Sequence, residues 1–295
     1  MIDFLKEIIR YKWIVCVLTG LFFTASLLWA LNTPNEYQAQ VMLMPVDDES
    51  QGGLGLSGQL GGLASIAGLN MGGGANNKIE LARELINDWS FSDGFIRENN
   101  LKVYLLAVTG WDKGSNSFIY DEDIYDSEKQ QWRTIDGQSQ EPSDWRAFNE
   151  LKKRVAFRKE KSGTLIFASF DYYSPELSQL WLSKLILAIN HKIQVMDMTE
   201  TKKSIDYLNG KIQSTSISEM QTVFYQLLQE QMKKLMLAEI REEYILKKVG
   251  PIKQPEDKFK PRRVVMILLG TIFGFLLSLL LISLKPVYLK LKSSL

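Results

Sequence analysis

The sequence predicts a membrane protein with two transmembrane helices enclosing an α+β domain that has a mixed base sheet and extended long helices. Three observations predict it. Trp13 to Leu31 carries no charge in 19 residues, and Val264 to Leu284 carries none in 21. At about 1.5 Å per residue each run spans roughly 30 Å, the hydrocarbon thickness of a bilayer. Between them, stretches of period two give way after Ser174 to a long stretch of helical period.

The first run has Trp13 and Trp29 near its ends, where indole rings prefer the interface. It is longer than the apolar core of a signal peptide, and no A-x-A site follows. Lys6, Arg10 and Lys12 precede it, and no Lys or Arg follows until Lys78. That asymmetry places residues 1–12 in the cytoplasm. The second run, 264–284, returns the chain to a cytoplasmic tail at 285–295, with Lys285, Lys290 and Lys292. Residues 32–263 then form the outer domain. The base comprises 32–174 and 244–263, and the long helices comprise 175–243. Net charge is +1 across 295 residues, so no basic excess points to nucleic acid. The single Cys16 forms no intrachain disulfide.

The elements follow in order. Tyr37 to Val46 alternates as a strand, with Ala39, Val41, Leu43 and Pro45 on one face. Lys78 to Trp89 has Ile79, Ala82, Leu85 and Ile86 at helical spacing. Ser92 is the expected cap of a short helix through Glu98. Leu101 to Val108 reads as a strand, and Gly110 to Glu141 as polar loop. Ser143 caps a helix to about Lys153, after Pro142. Val155 to Phe170 reads as a hairpin turning at Lys161-Ser162-Gly163. Ser174 and Pro175 open the long helix as N-cap and first residue. Leu177, Trp181, Leu185 and Ile189 carry its stripe, with a polar stretch at 197–204. Two helices of roughly 35 and 25 residues, about 50 and 40 Å long, are expected. They break at Asn209-Gly210 or in the Ser/Thr-rich 214–218. Two arrangements fit: a hairpin packed on the sheet, or a pair reaching beyond the base toward neighbouring subunits. Tyr244 to Val249 is a final strand and a partner for the first. Pro251, Pro255 and Pro261 then form a stiff extended connector to the second span.

Residues 52–74 hold ten of the chain's 20 glycines and contain GLGLSG at 53–58, the G-x-G-x-x-G spacing. A dinucleotide loop needs its glycines directly between a strand and a helix. Here DDESQG intervenes, so a phosphate cradle is not expected. No charge occurs from Ser50 to Asn77. Leu60, Gly61, Gly62, Leu63, Ile66 and Gly68 belong to a glycine-rich loop. It is either a linker or a short element lying on the membrane or a neighbouring subunit. A third span is disfavoured because glycine adds little hydrophobicity.

No catalytic constellation is legible. Asp47-Asp48-Glu49 and Asp121-Glu122-Asp123 are adjacent carboxylates, not a pair held across a sugar. His191 is the only histidine, which leaves a His-based zinc site unsupported. No G-x-S-x-G elbow occurs, and no cofactor is expected. Lys258, Lys260, Arg262 and Arg263 either anchor the second span at lipid headgroups or contact a diphosphate. Gly270-x-x-x-Gly274 and Gly20-x-x-x-Thr24 are the expected packing faces of the two spans.

Taken together, several local patterns resemble the Wzz-type polysaccharide co-polymerases, chain-length determinants of O-antigen or capsule. They are the short basic N-terminus and first span, the strand with Tyr37 and Ala39, and GGLASIAGL at 61–69. Trp111-Asp112, SPEL at 174–177, YLNGKI and EMQTVFYQLLQEQMKKLMLAEIREEY follow, then the proline segment and a glycine-bearing second span. The resemblance covers nearly the whole chain. It implies a homo-oligomeric ring, an octamer among its forms, in a bacterial inner membrane, with the main domain periplasmic and both termini cytoplasmic. It implies an integral-membrane polymerase partner, a lipid-linked (undecaprenyl diphosphate) glycan, and control of chain length rather than bond-making. The helical region is shorter than in larger members, so less projection is expected. No G-x-x-x-x-G-K-[ST] occurs, which matches the form without a kinase. A two-span sensor and a tethered periplasmic enzyme are the competing readings. Tails of 12 and 11 residues leave little room for a sensor's output domain, and the enzyme lacks candidate residues.

Overall fold

The computed structural model describes residues 12–46, 75–160 and 165–293. The glycine-rich loop, Asp47-Asp48-Glu49, the 161–163 turn and the residues before Lys12 lie outside it. The chain divides into two compact units, one of residues 1–37, 109–119 and 256–295, the other of 38–108 and 120–255.

The first unit contains helix α1 (Lys12–Asn32) and a helix over Arg263–Ser293, numbered α8 below in chain order. Both are long and apolar enough to cross a membrane, by length and composition. The second runs on as helix through the expected tail to Ser293. The two pack on each other.

The second unit is built on strand β1 (Tyr37–Pro45), which belongs to it from Gln38 onward. Its odd residues are buried and its even ones at least partly exposed, as the alternation predicts. Helices α2 (Ala75–Asn87), α3 (Trp89–Glu98) and α4 (Leu101–Leu106) follow. Here two expectations fail. The cap of α3 is Asp88, whose carboxylate accepts from the Phe91 N–H at 2.8 Å. Ser92 instead lies buried inside the helix and donates to the Ile86 carbonyl. Leu101 to Leu106 is helix rather than strand. Leu101 and Leu105, four apart, are both buried, and Asn100 turns the chain with φ 52°. A six-residue helix is too short for the two periods to be told apart by sequence.

The expected loop at 110–141 also carries short strands: β2 (Val108–Asp112), β3 (Ser117–Tyr120), β4 (Tyr125–Asp126), β5 (Gln131–Trp132), β6 (Thr134–Ile135) and β7 (Gln138–Ser139). They pair as three hairpins. Positive φ at Asn116, Gln130, Asp136 and Gly137 closes the turns. Ladders this short show no alternation. Helix α5 (Asp144–Arg154) begins after Ser143, whose side chain makes no capping bond.

Strands β8 (Val155–Lys159) and β9 (Ile166–Tyr172) are antiparallel, with Val155 opposite Phe170. Helices α6 (Pro175–Ser214) and α7 (Ser218–Ile240) are 40 and 23 residues long. Ser174 caps α6 by accepting from the Leu177 N–H. The break falls at 215–217. Asn209 and Gly210 stay helical, because one glycine costs a helix only about 1 kcal/mol. Strand β10 (Leu246–Lys248) pairs antiparallel with β1, Leu43 opposite Lys248. The base sheet has the order β10-β1-β9-β8. Against it lie Trp181, Leu182, Leu185, Ile186 and Ile189 of α6, all buried. Trp181 stands edge-on to Tyr172 at 4.3 Å between ring centroids. The prolines at 251, 255 and 261 lie in a segment without helix or strand beyond one bridge, Glu36 to Lys260.

Candidate functional site

In the first unit, α8 presents Gly270, Gly274 and Ser278 to α1, and the last two are buried. A Cβ on Gly270 would lie 2.5 Å from Ser26 Cβ, and one on Gly274 would lie 2.6 Å from Phe22 Cβ. Phe22 meets Phe273 edge-on at 5.6 Å. The face of α1 that takes part is Val15, Phe22, Ser26 and Ala30, at spacings of seven, four and four. Gly20 and Thr24, the expected partners, are exposed. Gly20 has nothing within 4 Å of an added Cβ, and the Thr24 hydroxyl bonds back to the Gly20 and Leu21 carbonyls. At 3.6 residues per turn, Gly20 lies about a third of a turn and Thr24 almost half a turn from the line through Phe22, Ser26 and Ala30. Val15, Phe22, Ser26 and Ala30 recur at spacings that could have revealed the stripe.

The four basic residues do not act as one cluster. Lys260 pairs with Glu36 at 3.6 Å and lies over the Phe259 ring. Arg263 donates to Asn35 Oδ1 at 3.1 Å. Lys258 and Arg262 are exposed.

In the second unit, the root of the helical hairpin is a buried amide clamp that the sequence did not reveal. Asn190 accepts from the Ile245 and Leu246 N–H groups, both at 2.9 Å, and donates to the Leu246 carbonyl at 3.0 Å. A side chain on α6 thus supplies the hydrogen bonds that an edge strand lacks. Gln194 donates to the Ala238 and Arg241 carbonyls, closing the end of α7. Farther out, Thr201, Leu208 and Ile212 of α6 are buried, although 197–204 looked too polar for that. Along α7 only Ala238 is buried. Met220, Tyr225, Met232, Met236 and Ile240 are exposed, as are Val195, Met196 and Tyr207 of α6.

An ion network ties α3, α4 and α5. Lys102 Nζ donates to Asp144 Oδ1 at 2.6 Å and to Glu141, and Arg97 reaches Asp144 Oδ2 at 3.1 Å. Partial burial would lower the Lys102 pKa, but the bonds and charges of Asp144 and Glu141 outweigh it and raise it. The Lys102 hydrogen bond holds the Asp144 carboxyl below its ordinary value. Asp121-Glu122-Asp123 form the turn between β3 and β4, with Glu122 and Asp123 exposed: Asp121 accepts from the Asp123 N–H, and Glu122 binds Ser127 and Arg133. His191 is exposed. A cleft of about 660 Å³ lies between Glu176, Gln179 and Ser183 of α6 and the chain at Lys248, Pro251 and Ile252. Among the described residues, no three His, Cys, Asp or Glu side chains gather as a metal site.

No protein-family model matches the sequence, and no curated protein does. Solved structures do resemble it. One is described as a full-length bacterial polysaccharide co-polymerase. It is 10% identical with a TM-score of 0.38, over 98% of this chain and 98% of that one. Another is a fragment of WzzB, a polysaccharide co-polymerase from Salmonella Typhimurium. It is 10% identical with a TM-score of 0.28, over 77% of this chain and 100% of that one.

Proposed function

We propose that this protein is a Wzz-type polysaccharide co-polymerase, a regulator of surface-polysaccharide chain length. It sits in a bacterial inner membrane with both termini in the cytoplasm and the α+β unit in the periplasm. It assembles as a ring of identical subunits and acts beside an integral-membrane polymerase that extends a lipid-linked glycan. The bond-making belongs to the polymerase.

The observation that carries this reading is the helical hairpin. Its root is held on the base sheet by Trp181 and by the Asn190 clamp. Its outer part leaves a row of large apolar side chains on α7 in solvent, Met220, Tyr225, Met232, Met236 and Ile240. A monomeric soluble surface seldom keeps such a row uncovered. Neighbouring copies placed side by side supply a cover, and a ring lets every copy use the same surface. The two apolar helices, packed through Gly270 and Gly274, supply the membrane anchor in the proposal.

Within the basic segment, Lys258 and Arg262 are the residues we assign to a diphosphate or headgroup contact, since Lys260 and Arg263 are engaged by Glu36 and Asn35. Glutamine at both positions separates the two uses. A diphosphate role shifts glycan length in a protein that still inserts, and a headgroup role lowers insertion alone.

Deleting the gene and resolving surface polysaccharide on a gel tests the function. Loss of a modal length band, with polymer still made, is expected. An unchanged ladder overturns the proposal, and loss of all polymer points to an enzyme.

A further inference from the structure

An exposed pair of indole rings in the second unit lies at the start of two helices. Trp89 opens α3 and Trp145 stands in the first turn of α5. They are 38% and 58% exposed, respectively. Their rings lie 5.5 Å apart with planes 30° from parallel. Phe148, itself buried, touches both at 5.4 and 5.2 Å and fixes them from beneath. Lys152 covers the Phe148 ring from its other side. Among the described residues neither indole N–H has a hydrogen-bond partner, whereas the Trp111 N–H has one in Asn116. Indoles left in water with free donors, but held rigidly, do not stabilise the fold in proportion to their size.

We infer that Trp89 and Trp145 form a saccharide-binding ledge, which takes a pyranose ring of a glycan by stacking. A pyranose has a face of C–H bonds and a rim of hydroxyls. The C–H face, weakly positive, suits the negative face of an indole. The rim suits what borders the ledge. The two indole N–H groups donate. The rings are already packed on each other and on Phe148, so binding forfeits little side-chain entropy.

A protein partner fits less well. A stable protein interface covers roughly 800 Å² on each side. Two indoles that are 38% and 58% exposed offer far less than that. That patch matches one or two sugar residues.

The inference rests on the proposed function for which glycan is met, not for the stacking chemistry. Full-length protein in nanodiscs is titrated with lipid-free oligosaccharides released by mild acid from the producing strain's surface polysaccharide. Saturation-transfer NMR and tryptophan fluorescence follow binding. The native protein should bind, and Trp145→Ala and Trp89→Ala should each weaken binding about tenfold or more. The double variant Trp89→Phe, Trp145→Phe, which keeps ring faces, should retain part of it and shows that the fold survives. No binding by the native protein, or equal binding by the alanine variants, overturns the inference. So does a result in which those variants lose only a co-purifying protein. The gene-deletion ladder is independent: it can fail while the ledge binds, or succeed while the ledge does not.

Discussion

Replacing Gly270 by alanine should loosen the α1–α8 pair, although alanine is the better helix former. The new Cβ would sit 2.5 Å from Ser26 Cβ and 2.8 Å from its Oγ. Carbon atoms in comfortable contact are about 3.5–4.0 Å apart, so the helices must separate by about 1 Å. Neither Cβ can rotate away, since backbone fixes both. Overpacking of this kind costs about 1–3 kcal/mol. Against it stands a gain of about 1 kcal/mol in helix propensity. Gly20→Ala supplies the reference, because nothing lies within 4 Å of its Cβ. It should stabilise by about 0.5–1 kcal/mol. The gap between the two variants, about 1–3 kcal/mol, measures the clash. Ser26→Gly removes both close atoms, and the next nearest is the Phe22 carbonyl at 3.8 Å, so it should rescue Gly270→Ala. Unfolding by SDS in mixed micelles, followed by tryptophan fluorescence, reads the native protein, the three single variants and the Gly270→Ala, Ser26→Gly double variant, since Trp13 and Trp29 bracket α1. Additive effects of Gly270→Ala and Ser26→Gly, or equal stabilities of the Gly270 and Gly20 variants, would refute the contact.

Asn190→Leu strands two buried N–H groups and a carbonyl of β10, and should cost about 2–5 kcal/mol, read as a lower thermal midpoint. Asn190→Asp keeps the acceptors but not the donor and should cost less. The Asp144 carboxyl sits below its ordinary 3.8 because Lys102 stabilises the anion. That stability is present above about pH 4 and is lost as pH falls through the lowered folded value. Lys102→Met should flatten the acid limb of a stability–pH curve, and an unchanged limb would remove the network from the account. Met232→Glu with Met236→Glu places charge on exposed positions of α7. The subunit should stay folded by circular dichroism while assembly in detergent, measured by light scattering, falls. Unchanged assembly would move the subunit contact elsewhere.

The parts of this fold legible in sequence are those where a period runs long enough to be counted. The strand from Tyr37, the helix capped at Ser174 and the two apolar helices are of this kind. That the first and last strands are partners was expected too, and the structure pairs them antiparallel. Leu101 to Leu106 and the hairpins of 108–139 are not, because six residues or fewer satisfy either period. Asp88 outranked Ser92 as a cap because one N–H, that of Phe91, fell within reach of its carboxylate. The functional surfaces were less legible still. Asn190, Trp89 and Trp145 each look ordinary in the chain, and their roles come from partners up to 59 residues away.

By itself, the sequence determined the charge-free lengths of two helices, the strand and helix periods between them, and the patterns that resemble a co-polymerase. These depend on residues close in the chain, where spacing alone sets which side chains share a face. Only the tertiary structure decided that Ser26 and Phe22, not Gly20 and Thr24, meet the glycines of α8. It also decided that Asn190 holds the edge strand, and that two distant tryptophans share one buried phenylalanine. Each of those depends on how far apart two backbones come to rest, and that distance is set by all the side chains between them at once.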